Sequence, residues 1–207
     1  MKPFERELVR GFIHEPVAPA GKSLVITHGA GSNGNAPILV AIAEAFAAAG
    51  FYVLRCDLPY RQKRPAGPPQ RGDAEHDREG LLAAVAAVRE IAPGALTLGG
   101  HSYGARQSSI LAAETPGVAD MLLLLSYPLH PPRQPQQLRT QHLSQLRTPS
   151  LFMHGTRDPF GTIPEMEAAL TLIPARHLLV PFDKTGHEWN AAMVPVILRE
   201  TLCFAIA

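Results

Sequence analysis

Charged residues are few in this sequence, cysteines number only two, and no apolar run is long. Charged side chains make up 18% of the 207 residues and the formal net charge is +1. Nothing in this balance favours nucleic acid or an anionic membrane surface as a partner. Cys56 and Cys203 lie far apart along the chain, which excludes a dense disulfide framework. We therefore expect two reduced, buried thiols.

No stretch of the sequence approaches the ~18 apolar residues that a membrane-spanning helix needs. The longest uninterrupted run, 81–88, is half alanine and predicts part of a core helix. Residues 1–7 carry charges where a signal peptide needs an apolar run, so we expect a cytoplasmic protein. A chain of 207 residues, 46% of them apolar, can bury one sizeable core, which predicts a single domain over 1–207.

Apolar segments alternate with helical patterns along the chain. Such alternation predicts an α/β fold in which a mostly parallel twisted sheet carries helices on both faces. Residues 4–13 predict an antiparallel edge strand or hairpin, and the segments 57–74 and 127–148 predict long loops, the second with a short helix near 137–146. The expected strands are 23–27, 51–55, 95–98, 121–125, 150–154 and 177–180, and the expected helices are 37–49, 77–91, 105–113, 164–172 and 189–204.

The segment Gly100-His101-Ser102-Tyr103-Gly104 lies between an apolar strand and a helical pattern. A serine with a glycine two residues before it and another two residues after it, at such a strand-to-helix turn, is typical of the nucleophile elbow of a serine hydrolase. The glycines let the backbone close up and push the hydroxyl outward. The motif alone arises often by chance, and its predicted structural context strengthens it.

Residues just after each predicted strand form the candidate site, because ligands bind an open parallel sheet outside the carboxyl ends of its strands. A serine nucleophile needs a base, and the base needs a carboxylate that orients it. His187 follows the last strand and Asp158 follows the strand before it. The order Ser102, Asp158, His187 is that of a hydrolase triad. Asp183 and Asp57 stay open as substitute acids.

Two backbone N–H groups are expected to hold the oxyanion of a tetrahedral intermediate. One is that of Tyr103, directly after the nucleophile. The other is that of Ala30, which stands between Gly29 and Gly31 after the first buried strand. The alternative is a glycine-rich turn that only connects strand to helix. A phosphate-binding loop is disfavoured because the Walker lysine is absent.

Three further side chains near strand ends are candidates for contacting substrate: His28, Tyr60 and Tyr127. His28 and His101 are alternatively structural hydrogen-bonding groups around the elbow. Together with His154 they raise the question of a metal, but no spacing such as His-Glu-x-x-His occurs. We therefore expect no metal site.

Basic residues of the 57–74 loop either attract an acidic substrate or form a solvated surface. They are Arg61, Lys63, Arg64 and Arg71, and the solvated surface is the simpler interpretation. Arg106 lies one turn into the helix after the elbow. We expect it to be structural, either paired with a carboxylate or facing the Asp57 loop.

Taken together, these residues resemble the α/β-hydrolase superfamily over nearly the whole chain. The small size without an inserted cap is similar to the dienelactone-hydrolase-like branch, although that branch usually carries cysteine where this chain has Ser102. A closer likeness is to the small hydrolase-like group that includes testis-expressed and histone-acetyltransferase-complex-subunit-like proteins, which often have lysine at the position of His101. The matching segments are 27–31, 57–65, 126–132, 138–140 and 155–161.

The combined expectation is a cap-less serine hydrolase that cleaves an ester, thioester or related acyl bond of a small substrate. Ser102 would form an acyl-enzyme, with no cofactor, no nucleic-acid or membrane partner, and a monomeric or homodimeric state. The alternative is a catalytically idle binding or scaffold protein on the same fold, since fold alone does not establish activity. A peptidase or a lipid hydrolase is a third option, and the Pro-, Gln- and Arg-rich 127–148 segment is unlike an apolar lipase lid.

Overall fold

A computed structural model describes residues 1–206 as one eight-stranded sheet flanked by helices. The strand order is β1-β2-β4-β3-β5-β6-β7-β8; β1 and β2 form an antiparallel hairpin, β2 pairs antiparallel with β4, and the remaining pairs are parallel. The predicted α/β fold with a mostly parallel sheet is thus confirmed. The strands are β1 Lys2–Arg6, β2 Val9–His14, β3 Lys22–Thr27, β4 Phe51–Asp57, β5 Ala95–His101, β6 Met121–Leu125, β7 Ser150–Gly155 and β8 His177–Phe182.

Helices cover both faces of the sheet. Leu122 and Leu124 of β6 pack into the core beneath α3, α4 and α5, whereas Leu123 and Leu125 pack into the core beneath α1 and α6. Because successive side chains of a strand point to opposite faces, a strand buried on both faces is apolar throughout rather than alternating. The helices are α1 Pro37–Ala48, α2 Pro59–Lys63, α3 Asp73–Ile91, α4 Tyr103–Glu114, α5 Ile163–Leu170 and α6 Val194–Ile206.

The segment expected to be a loop over 57–74 contains a short helix and the start of a longer one. Pro59, whose fixed φ suits the first turn of a helix, begins α2. Helix α3 begins at Asp73, four residues before the predicted start, and follows Gly72 with φ 97°. Only 64–72 connects the two helices. The sequence did not predict α2 because five residues are too few for a recognisable apolar period.

Two other expected helices are shorter than predicted. The 127–148 segment contains only a 3-10 turn, Leu143–Gln145. The last helix begins at Val194 rather than at 189, because the Asn190 side chain accepts a hydrogen bond from the Ala192 N–H and caps a separate 3-10 turn. The chain between β8 and α6 is therefore not part of the last helix, and it carries His187.

The two cysteines differ, which corrects the expectation that both are buried. Cys56 lies in β4 and is buried, whereas Cys203 is exposed. Helix α6 turns Ile197, Thr201 and Phe204 into the core, and position 203 falls outside that stripe. No helix in the described part of the chain has the length and apolarity that crossing a membrane would demand.

Candidate active site

Ser102 stands at the junction of β5 and α4 in a rare backbone conformation. Its φ of 53° and ψ of −114° lie outside the regions that L-residues favour, and such a conformation costs on the order of 1–3 kcal/mol. The surrounding hydrogen bonds offset this cost. The Ser102 N–H donates to the Leu125 carbonyl at 2.8 Å, and the Arg106 N–H donates to the Ser102 carbonyl at 3.0 Å.

The glycines on either side are required by close backbone contacts. A Cβ at Gly100 would lie 2.6 Å from the carbonyl carbon of Gly104, and a Cβ at Gly104 would lie 2.7 Å from the carbonyl oxygen of His28. Neither position can hold a side chain unless the backbone moves. The predicted reason for the motif, a turn too tight for side chains, is therefore seen in the packing.

His187 contacts both other members of the predicted triad. Its Nε2 lies 2.7 Å from the Ser102 Oγ, and its Nδ1 lies 2.8 Å from Oδ2 and 3.0 Å from Oδ1 of Asp158. With the Nδ1–H donating to the carboxylate, the Nε2 lone pair faces the serine hydroxyl. This is the arrangement in which an imidazole can take a proton from serine.

Asp158 is held ionised within the protein, with 4% of its surface exposed. Burial alone would raise the pKa of this carboxyl, but the hydrogen bond from His187, the His187 charge and the N–H of Phe160 outweigh it and lower the pKa below the ordinary value. Of the alternative acids, Asp57 accepts from the Gly34 N–H at 2.6 Å and Asp183 is exposed. Neither is bonded to His187.

Three residues that the sequence reasoning did not assign to the triad fix His187. The His187 carbonyl accepts from the Ser126 hydroxyl at 2.9 Å and from His101 Nε2 at 2.8 Å, and the Phe160 ring centroid lies 4.2 Å from that of His187. His101 is thus a structural hydrogen-bonding group, as expected. Ser126 follows β6 directly, so its position at a strand end was the available signal.

The loop that carries Ala30 packs directly on the elbow. The Gly104 N–H donates to the His28 carbonyl at 3.1 Å, and a Cβ at Gly29 would lie 3.3 Å from the Ser102 Cβ. Within residues 1–206 the N–H groups of Ala30 and Tyr103 donate to no protein acceptor. Both amides are therefore free to bind a ligand atom.

The structure places one of the three residues expected to contact substrate at the cavity. His28 borders the cavity, but its Nδ1–H donates to the Gly29 carbonyl and its Nε2 accepts from the Leu58 N–H. Tyr60 and Tyr127 are each 1% exposed and do not border the cavity. Tyr60 lies in α2 with its hydroxyl donating to the Ala30 carbonyl, and the Tyr127 hydroxyl donates to the Arg139 carbonyl.

The Ser102 hydroxyl opens into a cavity of about 560 Å³. Its wall is apolar on the side of α1, Glu188 is the carboxylate at its border, and among the described residues no lysine or arginine lines it. Neither 64–72 nor 127–148 contributes a lining residue. The residues around it are His28, Gly29, Ala30, Gly31, Ser32, Ala36, Ile38, Leu39, His101, Ser102, Phe160, His187 and Glu188.

The basic residues depart from expectation in part, because Lys63 and Arg71 are exposed as a solvated surface requires. Arg61 is not solvated: it is 6% exposed and donates to backbone carbonyls, while Arg64 pairs with Asp73. Arg106 faces neither a carboxylate nor the Asp57 loop. Burial, and then the nearby charge of Arg106, lower the pKa of His142 to about 4, so Arg106 lies near the 127–148 segment.

His154 is wholly buried and donates from Nε2 to the Gly161 carbonyl at 2.8 Å. It takes no part in a ligand set: residues 1–206 contain no group of three or more His, Cys, Asp or Glu side chains arranged to hold a metal ion.

Comparison with known proteins identifies the architecture. A family model described as "Alpha/beta hydrolase domain" matches residues 20–193. An α/β serine hydrolase homologue from Coxiella burnetii superposes with a TM-score of 0.77 at 18% identity, covering 100% of this chain and 97% of that one. A dienelactone hydrolase from Anabaena variabilis gives 0.74 at 21% identity, covering 99% and 98%. A Xanthomonas campestris serine hydrolase described as without a lid gives 0.69 at 18% identity, covering 93% and 89%.

Proposed function

Since this chain belongs to the alpha/beta hydrolase domain family, we propose that it is a serine hydrolase that cleaves an ester, or a thioester or related acyl bond, of a small substrate. The observation that carries the proposal is the double contact of His187, 2.7 Å from the Ser102 Oγ and 2.8 Å from Asp158. An imidazole that joins a hydroxyl to a buried carboxylate is the general-base arrangement of acyl transfer.

In the first half-reaction the Ser102 oxygen attacks the acyl carbonyl carbon while its proton passes to His187 Nε2. Asp158 keeps the Nδ1–H in place and stabilises the imidazolium that forms. The negative charge that develops on the carbonyl oxygen is held by the N–H groups of Ala30 and Tyr103. Removing one such donor typically slows turnover by roughly 10²–10³-fold.

Collapse of the tetrahedral intermediate expels the leaving group, which takes the proton from His187. Water then enters, His187 removes one of its protons, and the hydroxide attacks the acyl carbon bound to Ser102. The acid is released and the serine hydroxyl regains its proton. These steps need only the three side chains, the two backbone amides and water.

The cavity favours a small acyl group. Its apolar wall is formed by Ala36, Ile38 and Leu39, and it is closed by α1 on that side. Neither 64–72 nor 127–148 covers the serine, so neither segment is expected to act as a lid. We further propose a single catalytic domain over 1–207, active in the cytoplasm as a monomer or homodimer and related to the testis-expressed and histone-acetyltransferase-complex-subunit-like group.

The direct test is labelling with a fluorophosphonate, which forms a covalent bond with an activated serine. We expect the wild-type protein to be labelled stoichiometrically and Ser102→Ala not at all. Turnover is then measured on p-nitrophenyl esters of increasing chain length and on thioesters. Equal labelling of Ser102→Ala would refute the assignment. Labelling without turnover of any ester or thioester would favour a binding or scaffold protein instead.

A further inference from the structure

We propose that Tyr60 and Arg61 are positioning residues that fix the Ala30 N–H for the oxyanion, an inference that rests on the proposed function. Neither side chain touches the cavity. Both are nearly buried, with 1% and 6% of their surface exposed, and both end on the backbone carbonyls of the loop that holds Ala30.

The peptide group between Gly29 and Ala30 is held from its carbonyl side. The Gly29 oxygen accepts from His28 Nδ1 at 2.9 Å, from the Ser32 N–H at 3.0 Å and from the Tyr60 hydroxyl at 3.4 Å. In a planar trans peptide the C=O and the N–H point in opposite directions. Directing the carbonyl toward these donors therefore directs the Ala30 N–H away from them, and this amide is left without a protein acceptor in the described part of the chain.

The following carbonyls are held by the same two side chains. The Ala30 oxygen accepts from the Tyr60 hydroxyl at 2.8 Å and from an Arg61 terminal nitrogen at 3.1 Å, while the Ser32 oxygen accepts from Arg61 Nε at 2.7 Å. Arg61 thus bonds to the carbonyls of the two residues that flank Gly31. A glycine explores conformations that other residues avoid, and a Cβ at Gly31 would meet nothing within 4 Å, so the local backbone has no steric restraint of its own.

Arg61 is suited to this task by its shape rather than by its charge. Its other hydrogen bonds go to the carbonyls of Arg64 and Gly67, and no carboxylate in residues 1–206 pairs with it. Burying a cation without a counter-ion is costly unless hydrogen bonds satisfy it. Only a planar guanidinium presents donors in several fixed directions at once, so lysine cannot substitute.

The support of Ala30 is also joined to that of the other oxyanion donor. Asp77, wholly buried, accepts from the Tyr60 N–H at 2.9 Å and from the Tyr103 hydroxyl at 2.8 Å. The rings of Tyr60 and Tyr103 meet edge to face with centroids 5.9 Å apart. One carboxylate therefore holds both the residue that directs the Ala30 amide and the residue that supplies the second amide.

The cleanest test is Tyr60→Phe, which removes one hydroxyl and keeps the ring packing. We expect kcat on a p-nitrophenyl ester to fall about tenfold at nearly constant KM, less than the loss of a whole oxyanion donor. Affinity for an alkyl boronic acid, which becomes tetrahedral on Ser102, should fall by the same factor. The matched control is Thr201→Val, which deletes a buried hydroxyl that donates to the Ile197 carbonyl in α6 and should leave both quantities unchanged.

Arg61→Met and Arg61→Lys extend the test, with turnover counted per serine labelled by fluorophosphonate. We expect a loss of about 10²-fold for both, with no rescue by lysine. Arg55→Met is the control for buried-arginine loss, because Arg55 is 2% exposed and donates to the carbonyl of Gly34, outside the cavity lining. It should lower the melting temperature while keeping turnover per labelled serine.

The outcomes separate this inference from the function it rests on. Labelling of Ser102→Ala would overturn both. A labelled, active wild type whose Tyr60→Phe variant keeps kcat and boronate affinity would overturn the positioning role alone. A fall in kcat without a parallel fall in boronate affinity would also overturn it, since a merely structural loss has no reason to follow the tetrahedral state. If Arg61→Met does not fold, Tyr60→Phe still decides.

Discussion

Acid should destabilise this protein through His28, a histidine that the fold keeps neutral. The ring is wholly buried, its Nδ1–H donates to the Gly29 carbonyl, and its Nε2 accepts from the Leu58 N–H at 3.1 Å. A proton on Nε2 would place an Nε2–H donor against the Leu58 N–H donor, and neither would then have an acceptor. Burial is the largest cause that lowers the pKa of His28, from 6.5 to about 4.

The size and sign of the effect follow from linkage. A folded-state pKa below the unfolded one means that the unfolded chain takes up a proton first, so stability falls as the pH drops from 6.5 toward 4. Relative to pH 7.5, the free energy of unfolding at pH 4.5 should be lower by about 2–3 kcal/mol from this group alone. That is a large share of the roughly 5–15 kcal/mol available to a domain.

The assay is urea denaturation followed by circular dichroism at pH 7.5 and 4.5. His28→Asn, whose amide can still donate to the Gly29 carbonyl, should lose most of this pH dependence whatever its absolute stability. Thr201→Val, which changes no titratable group, should keep the wild-type dependence. His142, whose pKa is also lowered to about 4 by burial and by Arg106, should contribute a second, separate share. Parallel wild-type and His28→Asn profiles would refute the reasoning.

Two further predictions concern the triad and the thiols. Asp158→Asn replaces an acceptor of the His187 Nδ1–H with a group that can donate, which favours the wrong tautomer. We expect kcat on p-nitrophenyl acetate to fall on the order of 10³–10⁴-fold, with the fold retained by circular dichroism. A loss under tenfold would contradict the role of Asp158. Cys203 is exposed, whereas burial raises the pKa of the Cys56 thiol to about 12. A thiol reagent at pH 8 should therefore modify only Cys203 in the native protein and both cysteines in guanidinium. Rapid reaction of both in the native protein would show that β4 opens.

The fold and the meeting of three side chains could be predicted because both depend on strand ends. Ser102, Asp158 and His187 each follow a parallel strand, and parallel strands bring their carboxyl ends to one edge of the sheet. The strands can be located from apolar runs, because a strand that is buried on both faces is apolar throughout. The chemistry of each residue type then limits which of the nearby side chains can serve as nucleophile, base and acid.

The inward orientation of side chains after those strands could not be predicted. Tyr60 and Tyr127 both follow strand ends, yet both rings turn into the core. The basic run at 61–64 likewise divides into a buried Arg61 and an Arg64 paired with Asp73. These outcomes depend on which residues of the five-residue helix face the core and on which carbonyls their side chains can reach. No periodic pattern in the sequence indicates either.

The two amides of the proposed oxyanion site are held by different interactions, and only the support of the elbow is visible in the sequence as a motif. The elbow is rigid because regular structure enters and leaves it, so Ser102 keeps its strained φ and ψ between β5 and α4, and its glycines are visible as a motif. The Ala30 loop has glycines on both sides and no strand pairing of its own, and the Tyr60 and Arg61 side chains of α2 supply hydrogen bonds that help to order it. Since Asp77 bonds to both Tyr60 and Tyr103, that buried carboxylate adds a second connection between the loop and the elbow, beside the hydrogen bond from the Gly104 N–H to the His28 carbonyl.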